Sequence, residues 1–185
     1  MKDGELRLYD GKANTPYYHK ALFTNANLSG PIARAKSTER LILDRGNVDS
    51  NAHYVESDDS PIMAPLRVTF SCLLEDAGHS ATLEALVKGN NTVDGVLITT
   101  TEGSSANVVG TNNPVFRDST KRTLNMEVKW DGTIDEGIKW KEVYFPPEQQ
   151  TIADGADGVT LNIVGDCYGA VSRITAFTTP ATLIG

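Results

Sequence analysis

The sequence predicts a mainly β protein: a β-sandwich or barrel of about nine mostly antiparallel strands, flanked by one short helix at residues 80–88. Three observations carry this. Short apolar runs alternate with polar residues along most of the chain, the period of a half-buried strand. Gly, Pro, Asn and Asp punctuate those runs at the spacing of turns. Only one stretch switches to helical spacing, and no strand–helix alternation follows it, so a parallel doubly wound sheet is not expected.

In order, residues 5–9 alternate Leu6 and Leu8 against Arg7 and Tyr9 and read as a first strand ending at Asp10-Gly11, with residues 16–24 as the second. Residues 25–65 have no sustained periodicity and are rich in Ser, Asn, Asp, Gly and Pro, with one expected strand at 40–43. A loop that long is uncommon in a compact domain unless it has a function. Its mixed charges suit a surface that orders against another protein, and the candidate interface residues are Arg34, Lys36, Arg40, Asp44, Arg45, Asp49, His53, Tyr54, Asp58 and Asp59. Leu66, Val68, Phe70, Cys72 and Leu74 then alternate along a clean strand. Leu83, Leu86 and Val87 share a helical face, with Ser80 as the expected N-cap, His79 as a turn residue, Glu84 near the positive end and Gly89 at the left-handed C′ position. Further strands are expected at 95–101, 121–130, 137–145, 158–164 and 169–177. Nothing divides the chain, so residues 1–185 are read as one domain.

Composition narrows the function. The formal net charge is −7, and residues 130–185 alone carry three basic against eight acidic side chains. A surface that grips nucleic acid needs the opposite balance. No apolar segment follows the charged start MKDGELRLYDGK and no window nears a membrane span, so synthesis in a reducing cytosol and no membrane partner are expected. Cys72 and Cys167 then read as buried free thiols.

Motifs that carry chemistry are weak. Gly78-His79-Ser80-Ala81-Thr82 lies between strand and helix like a nucleophile elbow, but Thr82 stands where a glycine is needed and the flanking β/α context is missing. His19, His53 and His79 are far apart in sequence, no Cys/His cluster is present, and no phosphate-binding glycine loop occurs, so no metal, cofactor or catalytic residue is assigned. Asp154-Gly155-Ala156-Asp157-Gly158 reads as two turns introducing a strand. Trp130, Trp140 and Tyr144, the last two placed on one strand face, are a candidate platform for carbohydrate.

The run GIKWKEVYFPPEQQTIADGADGVTLNIVGDCYGAVSRITAF, together with the strand RVTFSCLLED and the helix ATLEALVKG, resembles the tail tube (major tail) proteins of long-tailed bacteriophages over residues 65–177. The resemblance implies a non-enzymatic virion protein without cofactor, assembled in the host cytoplasm. Its copies would close into hexameric rings that stack into a hollow tube, contact other tail proteins and let DNA pass without specific binding. Another ring-forming tail part, such as a terminator or distal tail subunit, would share the same plan. A monomeric carbohydrate-binding β-sandwich is the alternative from a different class.

Overall fold

A computed structural model of the protein describes residues 4–21, 28–32, 37–41, 53–57, 65–74, 77–99, 122–156 and 158–185. Within these, nine strands join one sheet that does not close into a barrel. They are β1 (Gly4–Tyr9), β2 (Tyr17–Ala21), β5 (Leu66–Leu73), β8 (Thr123–Trp130), β9 (Glu136–Tyr144), β10 (Thr151–Gly155), β11 (Gly158–Cys167), β12 (Val171–Ile174) and β13 (Thr182–Leu183). Two separate hairpins complete the strands: β3 (Ser37–Leu41) with β4 (His53–Ser57), and β6 (Thr92–Val93) with β7 (Val96–Leu97).

The sheet order is β10-β11-β9-β8-β1-β2-β13, with β5 added beside β11 and β12 beside β9. Strand β11 makes the corner. It pairs with β5 from Thr160↔Leu73 to Cys167↔Leu66, while its other edge takes β10 at the start and Tyr144 and Val143 of β9 at the end. The sheet thus folds over itself in the manner of a sandwich. Val68, Phe70, Cys72, Leu161 and Ile163 meet Leu6, Leu8, Leu124, Met126, Val128, Trp140 and Val143 in one core. Alternation along each strand puts these residues inside.

Helix α1 (Ala77–Val87) presses Leu83, Leu86 and Val87 into the same core, on the face the sequence predicts. Its C-terminus closes as expected, with Gly89 at φ 74°. The Asn90 N–H donates to Ala85 O and the Gly89 N–H to Leu86 O, the paired bonds of a Schellman ending. Its start differs from the expectation. The helix begins three residues before Ser80, so Ser80 is not the N-cap, His79 is helical rather than in a turn, and Glu84 lies past the first turn, where it pairs with Lys88 instead. A glycine at 78 weakens the helical signal in sequence, and burial of the helix against the sheet overrides it.

Of the strand expected at residues 95–101, the described residues 95–99 form strand only at Val96–Leu97. Asp94 and Gly95 both take positive φ, 49° and 73°, the signature of a type I′ turn, and fold the segment into the β6–β7 hairpin. Asp10 anchors its far end: its buried carboxylate accepts from the backbone N–H of Tyr17 at 3.0 Å, Lys12 at 3.2 Å and Thr99 at 3.3 Å.

Cys72 and Cys167 are buried thiols, and neither is in a disulfide among the described residues. Cys167 lies opposite Leu66 on β5, six residues along that strand from Cys72. At ~3.3 Å per residue this is a separation of ~20 Å, far beyond the ~7 Å limit for a bridge. Burial pushes the Cys72 thiol up to about 12, so it stays protonated at neutral pH.

Candidate assembly surfaces

The outer face of the sheet is built from one register row. Arg7 on β1 faces Lys20 on β2 and Glu127 on β8, and Glu127 faces Lys139 on β9. Sheet alternation that sends Leu6, Leu8, Met126 and Val128 inward sends this charged row outward. It is nonetheless covered. Between β12 and β13 the chain crosses this face as a strap: the Phe177 ring lies 3.9 Å from the Arg7 guanidinium carbon, and the Thr178 N–H donates to Glu127 Oε2 at 2.9 Å. Lys139 Nζ sits 2.6 Å from Glu127 Oε1, and Thr178 Oγ1 donates to that oxygen at 2.5 Å. Glu127 is only 1% exposed, so its charge is held by a lysine and a loop rather than by water. Tyr9, two residues along β1 from Arg7 and opposite Tyr18 and Asn125, is also buried. Burial, with the nearby Glu127 charge, pushes its phenol well above the ordinary value.

At the edge of β2 the chain closes a second contact. His19, fully buried, donates from Nδ1 to Ile184 O at 3.1 Å, and its ring centroid is 4.3 Å from that of His79 on α1. Two histidines distant in sequence are therefore neighbours in space, against the sequence expectation.

The carbohydrate platform is overturned. Trp140 is 1% exposed and its indole N–H donates to Pro31 O at 3.0 Å. A β-bulge opposite Asn125, with Glu142 at φ 55°, inserts one residue between Trp140 and Tyr144 and turns them to opposite faces. Trp140 and Val143 point into the core, and Tyr144 does not. Ser80 lies within α1 and offers no elbow.

The exposed surface lies in hairpins and edges. Strand β10 was not expected: the stretch with the two Asp-Gly pairs introduces β11 at Gly158 as the sequence predicts, and it also joins β11 to β10 in a hairpin. All five residues of β10 are exposed, and β11 passes from exposed at Gly158 and Val159 to buried at Gly165–Cys167. The hairpin therefore projects past the core as an arm. Ile152 (68% exposed) and Val159 sit on its core-continuing side, in register with Leu161 and Asp154, and among the described residues no strand pairs with the other edge of β10. Sequence reading passed over Ile152 and Val159, although an apolar residue on each side of an Asp-Gly pair is itself a hairpin signal.

The expected interface loop is structured in part. Arg40, His53 and Tyr54 fall on the β3–β4 hairpin, where Arg40 pairs with Tyr54 and Leu41 with His53. The hairpin starts at Ser37, earlier than the expected strand, and its second strand was not foreseen. Arg34, Lys36, Asp44, Arg45, Asp49, Asp58 and Asp59 lie outside the described residues.

No protein-family model matches the sequence, and no curated protein does. Solved structures do match, among them three at 9% identity that cover 94% of this chain. They include a chain of the anti-feeding prophage baseplate (TM-score 0.46, 93% of that chain) and a chain of the anti-feeding prophage tube-terminating cap (TM-score 0.46, 88% of that chain). A third comes from the sheath–tube complex of an extracellular contractile injection system (TM-score 0.48, 88% of that chain). The likeness is one of chain course at low identity, and the functional reading stands on the residues of this chain.

Proposed function

We propose that the protein is a structural subunit of a phage tail, a tail tube protein whose copies close into rings of six that stack into a conduit for DNA ejection. The single observation that carries this reading is the β10–β11 arm. An exposed edge strand with apolar Ile152 and Val159 is a liability in a monomer and an asset where another chain covers it. The sequence resemblance over residues 65–177 supports it. The acidic balance agrees with a lumen through which DNA slides without adhering. In this reading the work is assembly rather than catalysis, and the partners are further copies and other tail proteins. Arg34, Lys36, Arg40, Asp44, Arg45, Asp49, His53, Tyr54, Asp58 and Asp59 supply contacts between subunits or rings, and residues 25–65 become protease-resistant on assembly.

The test is the double substitution Ile152→Lys and Val159→Lys. Both side chains are already exposed, so the fold and melting temperature should hold while light scattering of concentrated protein falls to that of a monomer. Equal assembly of wild type and variant would remove the arm from the interface. A terminator or distal tail subunit is the second reading within the same class, and it differs in the product: single closed rings instead of stacked ones.

A further inference from the structure

We propose that His19, packed against His79, and the strand at residues 182–183 form an acid-released latch: protonation of buried His19 ejects residues 182–185 and the strap before them, and opens the outer edge of β2.

Strand β13 is a minimal addition to the sheet. It pairs in parallel over two residues, Thr182↔Tyr17 and Leu183↔Tyr18, and both Thr182 and Leu183 are exposed. Backbone bonds flank this pairing, with Thr182 N–H donating to Pro16 O and Ile184 N–H to Tyr18 O, each at 2.9 Å. What fixes it beyond these is Ile184, buried at 5% exposure, and the Nδ1–H bond from His19 to its carbonyl. Gly185 packs against the same ring, where an added Cβ would come within 2.9 Å of Nδ1.

A carbonyl oxygen only accepts, so Nδ1 carries the proton of the neutral ring and Nε2 is bare. His19 Nε2 is buried with no hydrogen-bond partner among the described residues, so a proton arriving there meets no acceptor among them. Among the described residues, the groups around it offer no relief. Helix α1 presents His79 at 4.3 Å, and its ring adds to the cost of a proton on His19. Strand β1 presents Leu8, the register partner. Residues 182–185 are Thr, Leu, Ile and Gly, without a titratable side chain. On β2 itself, Tyr18 and Lys20 alternate to the opposite face. Burial accordingly pushes His19 down to about 4, with His79 adding to the effect.

Strap and strand move together because the strap has little slack. From β12 to β13 the sheet order crosses five inter-strand spacings, roughly 24 Å at ~4.8 Å each. The eight residue steps from Ile174 to Thr182 reach ~27 Å at full extension. Release of Ile184 therefore also loosens the Thr178 and Phe177 contacts.

The experiment is native-state hydrogen exchange of the full chain at pH 7.0 and 4.5, corrected for intrinsic rates, with the His19 ring proton signal followed by NMR over the same range. The latch predicts that protection of the Thr182 and Ile184 amides falls at least tenfold relative to β8 amides, with a midpoint matching proton uptake by His19. His19→Asn keeps an Nδ donor but takes no proton, and it should hold the protection at pH 4.5. Loss of protection while His19 remains neutral, loss in step with β8, or an acid response abolished by Glu127→Gln and kept in His19→Asn would each overturn the proposal. The ring titration needs no variant and decides the matter even where His19→Asn fails to fold.

Discussion

Lys139→Met tests the charged row beneath the strap. In the native chain Lys139 Nζ lies 2.6 Å from Glu127 Oε1, and the Glu127 carboxylate also accepts from the Thr178 N–H and Oγ1–H. Methionine keeps most of the side-chain volume and removes the cation. Glu127, 1% exposed, is then left with two neutral donors from one strap residue. Two unit charges about 4 Å apart attract by about 4 kcal/mol at the effective dielectric of a near-surface site. Losing one partner of a buried pair costs about 3–5 kcal/mol. The Lys139 side chain is 19% exposed, so water offsets part of this and the expected loss is about 3 kcal/mol. The partner variant Glu127→Gln should cost a similar amount, because it leaves the ammonium against the strap. The double variant should cost well under the sum, since no uncompensated charge remains. Urea denaturation of the four proteins gives the cycle, with a coupling of at least ~2 kcal/mol expected. A Lys139→Met cost under ~1 kcal/mol, or additive single effects, would refute the argument that Glu127 is a desolvated charge held by Lys139.

Three further outcomes follow from other parts of the molecule. His19 binds its proton less well folded, at about 4 against an ordinary 6.5, so the unfolded chain gains protons first as the pH falls. Its contribution is complete above pH 6.5 and is lost as the pH falls towards 4; by pH 4.5 this amounts to about 2.5 kcal/mol, and His19→Asn should flatten the pH–stability slope by that much. Gly137→Ala places a Cβ 2.3 Å from Val128 O and 2.9 Å from Ile174 Cγ1, so thermal melts should show a loss of about 3 kcal/mol or no folded protein. Deleting residues 48–61, which include β4, should leave a folded monomer by circular dichroism and sedimentation that no longer polymerises; normal assembly of that deletion would contradict the role proposed for residues 25–65.

Much of the sandwich was legible because its inner strands follow simple alternation. Leu6 and Leu8, Val68 to Cys72, and Leu124 to Val128 all fell on the buried side as their spacing required. The misses have local causes. The bulge at Glu142 breaks the period within β9, and the resulting phase change separates Trp140 from Tyr144, which no count of two can foresee. Strand β10 has no buried face, so its only signs are its turn and a partner strand. Strand β13 is two residues next to Pro180, and only its pairing with β2 defines it. The His19–His79 contact joins residues sixty apart through the packing of α1 on the sheet, and it leaves no trace in spacing. Of the candidate interface, the sequence marked residues 25–65 by their length and charge, yet the hairpin within them became visible only through strand pairing.

Electron microscopy of negatively stained wild-type protein over rising concentration tests the central claim most directly. The account predicts closed rings with six-fold averages that stack into hollow tubes, and their absence in the Ile152→Lys/Val159→Lys variant. Particles that stay monomeric at every concentration would contradict it.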